Sequence, residues 1–236
     1  MTGPALLAGL AVAAGVIAQS ITGFGFSLVG APFLVAAYRA PTGVQLNLLL
    51  SALVNVAVLA REHAHADRRA AALLLLPALV AVLPAAWLVH HTSSGPLTVA
   101  AGGACLVAVA ALAAGTHLHR LSGRAGTVTV GLLSGAMNVI AGISGPPVVL
   151  FAVHNAWPPT RARPTLQLFF LGLNALTIVS LGLPGHLPVA PLIGFAAGLV
   201  AARLIGHRPS ADAVRRATLV LAGVGSLVAV ARGLAS

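Results

Sequence analysis

The chain has 236 residues, of which 58% are hydrophobic and 7% charged, and its formal net charge is +10 at pH 7. About a quarter of the residues of a soluble domain are charged, so this composition excludes a water-covered surface and indicates a protein embedded in the lipid bilayer. All 13 cations are arginines, mainly in short loops between apolar runs, which is typical of membrane topology and not of a nucleic-acid-binding surface. Cys105 is the only cysteine, so neither an internal disulfide nor a paired-cysteine metal site is expected.

Ten apolar segments follow one another along the chain: 4–21, 24–38, 43–60, 71–89, 97–115, 126–141, 144–154, 164–182, 189–205 and 217–232. Segments 24–38 and 144–154 are short for a spanning helix, which takes about 20 residues, and glycine and proline interrupt or open both of them. Such segments are typical of the discontinuous helices of transporters. The sequence therefore predicts an all-α, polytopic transmembrane bundle in which each short segment belongs to a broken or re-entrant helical hairpin.

The two halves of the chain resemble each other. An offset of 115 positions superposes the motif Gly30-Ala31-Pro32 on Gly145-Pro146-Pro147. In both halves a proline-containing loop, an amide-bearing helix and two plain apolar helices follow the motif. We therefore predict one membrane domain over residues 1–236. It consists of two repeats, at about 4–116 and about 125–233, each with a hairpin followed by three spanning helices.

The distribution of arginines indicates how the repeats are oriented. If each hairpin enters and leaves the membrane on one side, each half makes three full crossings, and this odd number inverts the second repeat relative to the first. Ten loop arginines then lie on one side: Arg61, Arg68, Arg69, Arg120, Arg124, Arg161, Arg163, Arg208, Arg215 and Arg216. Arg39 and Arg232 lie on the other side. By the positive-inside rule the ten arginines are cytoplasmic, which predicts a multi-pass protein of the cell inner membrane.

The two hairpins form the predicted substrate site. Irregular backbone is tolerated in hydrocarbon only inside protein or beside a water-filled cavity, and helix N-termini at a break direct amides toward an anion. The candidate binding residues are hairpin glycines and prolines with neighbouring polar side chains: Gln19, Thr22, Gly23, Gly25, Ser27, Pro32, Asn138, Gly142, Ser144, Gly145 and Pro146. Arg163 is either a bidentate clamp for an oxyanion or a cytoplasmic anchor. Close packing of helices is the alternative interpretation of the glycines.

Acidic residues are absent from the apolar segments, since Glu62, Asp67 and Asp212 all lie in arginine-bearing loops. This favours an anionic or neutral substrate, because no carboxylate is available to bind sodium or a divalent metal within the membrane. Two other functions stay open. An intramembrane serine hydrolase would use Ser144 in its GISG motif. A divalent-metal permease would use the loop histidines His63, His65, His90, His91, His117 and His119.

Two motifs, GFGFSLVGAPFL at 23–34 and SGAMNVIAGISGPPVVLF at 134–151, resemble the paired motifs of the sulfite exporter TauE/SafE family of membrane transporters. The run RPTLQLFFLGLNAL at 163–176 is similar to the arginine-led helix that follows the second motif in that family. The first motif departs from the common glycine-rich form, with Phe26 and Ser27 where glycines are usual. The resemblance implies transport of a small sulfur-containing anion, such as sulfite or an organosulfonate, across the cytoplasmic membrane.

We interpret the chain as an alternating-access transporter of a small anionic substrate, with the binding site at the midplane between the hairpins. We expect no catalytic residue, no metal ligand, no cofactor and no nucleic-acid partner. Assembly into a homo-oligomer is left open.

Overall fold

The computed structural model describes residues 3–114, 123–205 and 210–235. Ten α-helices lie within these ranges: α1 (Gly3–Thr22), α2 (Phe26–Tyr38), α3 (Thr42–Glu62), α4 (Arg68–His90), α5 (Ser94–Ala113), α6 (Gly123–Ala141), α7 (Gly145–His154), α8 (Pro159–Leu181), α9 (Val189–Leu204) and α10 (Ala211–Leu234). They confirm the ten predicted segments and the all-α class. The two segments predicted to be short are the helices α2, with 13 residues, and α7, with 10.

Six of the described helices are long and apolar enough to cross a membrane, namely α1, α3, α4, α5, α8 and α10. Aliphatic side chains cover the outer faces of the bundle, and Leu83 and Val179 are 71% and 84% exposed. Amide side chains lie inside it, where Asn47, Asn55 and Gln167 have no exposed surface. Apolar groups outside and polar groups inside suit a lipid environment, because hydrocarbon offers polar groups no hydrogen-bond partner.

Four closely packed helix pairs each join one helix of the first half to one of the second. α1 packs along α9 and α6 packs along α4, while α5 pairs with α10 and α3 with α8. Glycines bring these backbones close together. A Cβ added at Gly194 of α9 would lie 2.0 Å from the carbonyl oxygen of Gly9 in α1, and one added at Gly135 of α6 would lie 2.3 Å from that of Ala78 in α4. Small residues at such contacts are typical of membrane helices. The two halves therefore pack against each other through several close helix contacts.

Helices α3 and α8 run antiparallel through the centre of the bundle. At one end, Gln45 Nε2 near the start of α3 donates to the carbonyl oxygen of Leu181 at the end of α8, at 2.8 Å. At the other end, Arg163 Nε near the start of α8 lies 3.2 Å from Glu62 Oε2 at the end of α3. Each of these two helices follows one of the short helices, α2 or α7, and the two point in opposite directions.

Each predicted hairpin is present as a pair of helices joined by a short break. The first break, residues 23–25, separates α1 from α2, and the second, residues 142–144, separates α6 from α7. Gly23 and Gly142 have φ angles of 79° and 70°, a left-handed conformation that favours glycine. In both, the glycine N–H donates at 2.9 Å to the carbonyl oxygen four residues earlier, in Gln19 or Asn138.

The two breaks are spaced differently from the two sequence motifs. Gly23 and Gly142 are 119 positions apart (142 − 23), whereas the motifs predict an offset of 115. At the offset of 115, Gly30 is compared with Gly145, but Gly30 lies inside α2 while Gly145 is the first residue of α7. The two spacings differ by about one helical turn, and both breaks occur where a glycine adopts positive φ.

Helix ends that carry arginines meet at the end of the bundle where α3 ends and α8 begins. Arg161 Nη2 lies 2.7 Å from Asp67 Oδ2, which joins the loop after α3 to the start of α8. Arg163 pairs with Glu62 in the same region. Arg232, near the end of α10, instead donates to the carbonyl oxygen of Ala36 in α2. Two members of the predicted set lie outside the described residues, Arg120 and Arg208.

Candidate functional site

The candidate site is built from buried amide side chains around the first break. Gln19 Nε2 in α1 donates to Asn55 Oδ1 of α3 at 3.1 Å and to Gln167 Oε1 of α8 at 3.0 Å. Its Oε1 accepts from the backbone N–H of Phe26, the first residue of α2, at 3.2 Å. Gln167 Nε2 in turn donates to the carbonyl oxygen of Gly23. The first break is thus held in place by one side chain from its own hairpin and one from the second half.

A second group of polar side chains surrounds the second break. Asn47 Nδ2 of α3 donates to the carbonyl oxygen of Gly142 at 2.8 Å and to Ser27 Oγ of α2 at 3.1 Å. Ser27 Oγ also lies 3.4 Å from Ser51 Oγ, which accepts from Asn174 Nδ2 of α8 at 3.1 Å. The second break is therefore held by a residue of the first half, and each half supports the break of the other.

Two of these bonds are equivalent in the two halves. Gln19 bonds to Asn55 across 36 positions, and Asn138 Nδ2 bonds to Asn174 Oδ1 at 3.2 Å, also across 36 positions. Each pair joins the helix before a break to the central helix of the same half. Both pairs also keep the offset of 119 positions that relates the glycines of the breaks (138 − 19 and 174 − 55).

A small cavity lies between the two breaks, and we call it the central cavity. Its lining comes from both hairpins and from the central helices: Gln19, Phe24, Gly25, Ser27, Leu28, Ser51, Ile143, Ser144, Gly145 and Phe170. Its volume is about 20 Å³. That is room for about one water molecule, so the cavity must widen before it can hold a larger anion.

The N-termini of α2 and α7 both open into the central cavity. In α2, the Phe26 amide is bonded to Gln19, while Ser27 and Leu28 lie in the first helical turn, whose amides have no intrahelical acceptor. In α7, Pro146 and Pro147 carry no N–H, so the first turn has fewer donors. The positive ends of two helix dipoles, one from each half, therefore face one cavity and favour an anion there.

Among the residues that the structure describes, no charged side chain lines the central cavity. Its polar groups are neutral hydroxyls and amides, and Phe24, Leu28, Ile143 and Phe170 form its apolar wall. Several buried polar atoms near the breaks have no hydrogen-bond partner among the described residues, including Asn47 Oδ1, Asn55 Nδ2 and Asn138 Oδ1. The site thus retains unused donors and acceptors in addition to those that hold the breaks.

The predicted site residues divide into three groups. Five of them line the central cavity: Gln19, Gly25, Ser27, Ser144 and Gly145. Three more shape the breaks without lining the cavity: Gly23, Gly142 and Asn138. The other four lie elsewhere: Thr22 donates to the carbonyl oxygens of Ala18 and Phe24, Pro32 is buried inside α2, Pro146 follows Gly145 in α7, and Arg163 bonds to the carbonyl oxygen of Ser20 and to Glu62.

Arg163 is packed against the first break from outside the central cavity. A Cβ added at Gly23 would lie 2.7 Å from Arg163 Cγ, so the glycine provides the space for the arginine side chain. Its guanidinium donates to the carbonyl oxygen of Ser20 at 2.9 Å, near the end of α1. In this conformation Arg163 connects the first hairpin to α3 through Glu62.

Sequence reasoning missed Ser51 and the aromatic wall of the cavity. Ser51 lies four residues after Asn47 and four before Asn55, so all three share one face of α3. This polar stripe in an apolar helix is the sequence signal that could have identified Ser51. Phe24 and Phe170 carried no comparable signal, because aromatic residues are common in apolar segments.

Within the described ranges, no group of three or more histidine, cysteine, aspartate or glutamate side chains is arranged to hold a metal ion. His117 and His119, two of the candidate histidines, lie outside the described residues.

Two broken hairpins that meet at a polar cavity inside an apolar helical bundle define a membrane transporter with discontinuous helices. The family model of the sulfite exporter TauE/SafE family matches residues 7–232, and the chain belongs to this family. The resemblance seen in the sequence is thereby confirmed. The members of this family are transporters and not enzymes, so Ser144 is not the nucleophile of a hydrolase. No curated protein and no solved structure matches the chain.

Proposed function

We propose that the protein moves a small monovalent sulfur oxyanion, such as hydrogensulfite or an organosulfonate, through the central cavity by alternating access. The observation that carries this proposal is the convergence of two helix N-termini, one from each half, on a cavity that has hydroxyl and amide donors. Such donors replace the hydration shell of an oxyanion. Family membership supports a sulfur-containing substrate.

The absence of charge in the cavity lining supports a monovalent substrate. The cost of moving an ion out of water rises with the square of its charge, and each buried ion costs several kcal/mol. Neutral donors and helix dipoles offset this cost far better for one charge than for two. Sulfite takes up a proton near neutral pH, so the species that we expect to bind is its singly charged form. A sulfonate is singly charged at every physiological pH.

The apolar wall supports a substrate that has an uncharged side. Phe24, Leu28, Ile143 and Phe170 line the cavity together with its hydroxyl and amide donors. Short organosulfonates carry three oxygens at one end and carbon at the other. This arrangement favours sulfonates with a short carbon chain, whereas sulfate would place an oxygen against the apolar wall and leave it without a donor.

We further propose that the two halves are inverted repeats that rock against each other. The antiparallel course of α3 and α8 supports the inversion, as do the pairs Gln19–Asn55 and Asn138–Asn174 with their common spacing. The bonds from Gln167 to the Gly23 carbonyl and from Asn47 to the Gly142 carbonyl cross between halves. They break and re-form as the cavity widens first toward one side and then toward the other.

The orientation in the membrane follows from charge. The end of the bundle where Arg161 and Arg163 pair with Asp67 and Glu62 is the cytoplasmic end under the positive-inside rule. Cysteine substitutions at Arg68 and at His91, on opposite ends of α4, would test this orientation with a membrane-impermeant thiol reagent after replacement of Cys105 by alanine. We expect labelling in intact cells at position 91 and not at position 68.

Flux into proteoliposomes tests the function directly. Radiolabelled sulfite, methanesulfonate and sulfate are compared over a range of pH values on both sides of neutrality. We expect saturable methanesulfonate flux that changes little with pH, sulfite flux that increases as the pH falls, and little sulfate flux. Lack of saturable flux for all three anions would contradict the proposed function. Equal flux of sulfate and methanesulfonate would contradict only the preference for one charge.

A further inference from the structure

A second and larger cavity opens at the arginine-bearing end of the bundle, and we call it the arginine cavity. Its volume is about 270 Å³, and it lies among α1, α3, α8 and α9. Arg61, Arg163 and Arg203 line it together with one carboxylate, Glu62. Nothing in the transport cycle described above uses Arg61 or Arg203.

The charges in the arginine cavity do not balance. Three guanidinium groups face one carboxylate, so the lining keeps two positive charges. Arg163 is engaged with Glu62 and with the carbonyl oxygen of Ser20, while Arg61 and Arg203 are exposed at the cavity rim. Guanidinium groups bind phosphate oxygens in a planar, bidentate arrangement, which makes a phosphate-containing anion a suitable ligand.

Apart from Ser20, the rest of the arginine cavity lining is apolar. Ala57 of α3 is exposed, and Ile21 of α1 and Leu199 of α9 are half-buried, whereas Val54 and Val58 belong to the buried core. An accessible apolar surface therefore adjoins the arginines of this cavity. A free anion gains nothing from contact with an apolar surface, whereas burying an acyl chain against it is favourable.

We propose that the arginine cavity binds an anionic phospholipid, with its phosphate on Arg61 and Arg203 and one acyl chain along Ile21, Ala57 and Leu199. Basic pockets between membrane helices recognise anionic headgroups in this way. The bound lipid fills the space between α1, α3 and α9 at the end of the bundle where Arg163 holds the first hairpin. This proposal is independent of which anion is transported.

Native mass spectrometry of the purified protein tests this site. The probes are phosphatidylglycerol, phosphatidylcholine and soluble glycerol phosphate, each added to delipidated protein. The test variant is Arg61→Gln with Arg203→Gln, and the matched control is Arg216→Gln, an exposed arginine of α10 outside the cavity. We expect the wild type and the control to retain phosphatidylglycerol, and the double variant to bind it about tenfold more weakly, which is the effect of about 1.4 kcal/mol.

A second variant covers the case in which the double variant does not fold. Leu199→Trp keeps all the charges and fills the apolar side of the cavity, so we expect it to lose phosphatidylglycerol as well. Equal retention of phosphatidylcholine and phosphatidylglycerol would overturn headgroup recognition. Glycerol phosphate that bound as tightly as phosphatidylglycerol would identify a free-anion site instead. An equal loss in Arg216→Gln would show nonspecific attraction to surface charge.

Discussion

The two hairpins share a backbone design but differ in the chemistry that they offer. Both break at a glycine with positive φ, and both are tied to the central helix of their own half by an amide pair across 36 positions. The first break then starts a helix of 13 residues whose first turn keeps its N–H groups, because no proline lies there. The second starts a helix of 10 residues whose first turn contains two prolines and follows Ser144.

This difference indicates how a pseudo-symmetric fold makes an asymmetric site. The first hairpin contributes backbone amides and Gln19, while the second contributes the Ser144 hydroxyl and the Gly145 amide. Gln19 is also bound to three groups, whereas the Asn138 amide contacts Asn174 and Thr177. The two hairpins thus share a backbone framework and differ at a few positions in the donors that an anion would meet.

The glycines of the breaks provide the largest test of this comparison. An alanine at position 142 would have positive φ and a Cβ 2.9 Å from Asn47 Nδ2, which also holds the break. An alanine at position 23 would also have positive φ, and its nearest neighbours would be side-chain atoms of Arg163, with Cγ at 2.7 Å. The longer side chain of Arg163 can shift further than that of Asn47. We expect Gly142→Ala to lower the free energy of unfolding by about 3 kcal/mol and to abolish flux, and Gly23→Ala to cost about 1 kcal/mol.

Thermal unfolding in detergent and flux in proteoliposomes measure both effects. Gly103→Ala is the control, since a Cβ there would meet nothing within 4 Å, and we expect it to be neutral. An equal cost at positions 23 and 142 would show that the surroundings of the two breaks do not differ as described.

The amide pairs provide the next test. Gln19→Leu leaves Asn55, Gln167 and the Phe26 amide without their partner, so we expect a loss of about 1–2 kcal/mol in stability. We expect about half of this loss for Asn138→Leu. Gln19→Leu should also reduce flux, because Gln19 lines the central cavity and Asn138 does not.

Double-mutant cycles of Gln19 with Asn55 and of Asn138 with Asn174 isolate the two couplings. Comparable coupling energies in the two cycles would support the equivalence of the pairs. A coupling in only one cycle would contradict it.

The hydroxyl groups provide a smaller test that concerns binding. Ser27 Oγ is occupied by Asn47 and Ser51, while Ser144 makes no capping bond with its own helix and lines the cavity. We therefore expect Ser144→Ala to raise the KM for transport about tenfold and Ser27→Ala to raise it about threefold. Initial rates over a range of anion concentrations give both values. Ser180→Ala, whose hydroxyl bonds within α8, should leave the KM unchanged. A larger effect at Ser27 than at Ser144 would reverse the proposed asymmetry.

Asp67 provides the smallest test, outside both hairpins. Its carboxylate accepts from the Ala70 amide at the start of α4 and pairs with Arg161, and these contacts, the amide first, lower its pKa. We expect Asp67→Ala to cost about 0.5–1 kcal/mol in stability and to leave the KM unchanged. A change in KM as large as that expected for Ser144→Ala would contradict the view that the hairpins determine substrate binding while this loop contributes only to stability.

The pH dependence of Asp67 follows from its lowered pKa. Asp67 makes its full contribution to the free energy of unfolding above the ordinary pKa of an aspartate, about 3.9. This contribution is lost as the pH falls through the lower pKa that Asp67 has in the folded protein. Thermal unfolding of wild type and Asp67→Ala between neutral and acidic pH should therefore converge at the acidic end. A difference that persisted in acid would show that Asp67 stabilises the protein without its charge.

Local properties of the sequence were sufficient for the helices. Transfer of a segment into lipid depends on its own side chains, so hydropathy predicted all ten helices, and the interruptions by glycine and proline predicted that α2 and α7 are short. The same reasoning found Gln19, Gly25, Ser27, Ser144 and Gly145 around the cavity, because polar groups and helix breaks in hydrocarbon need a protected place. The motifs were also enough to identify the family.

Contacts between distant segments decided the rest. The Asn47 amide meets the Gly142 carbonyl across 95 positions, and Gln167 meets Gly23 across 144, so no local pattern specifies either bond. The Arg163 guanidinium lies outside the central cavity, where it is bound by Glu62 and by the Ser20 carbonyl oxygen. The spacing of the two breaks also depended on which glycines adopt positive φ. That choice is made by the packing of each break against the opposite half, which only the folded chain contains.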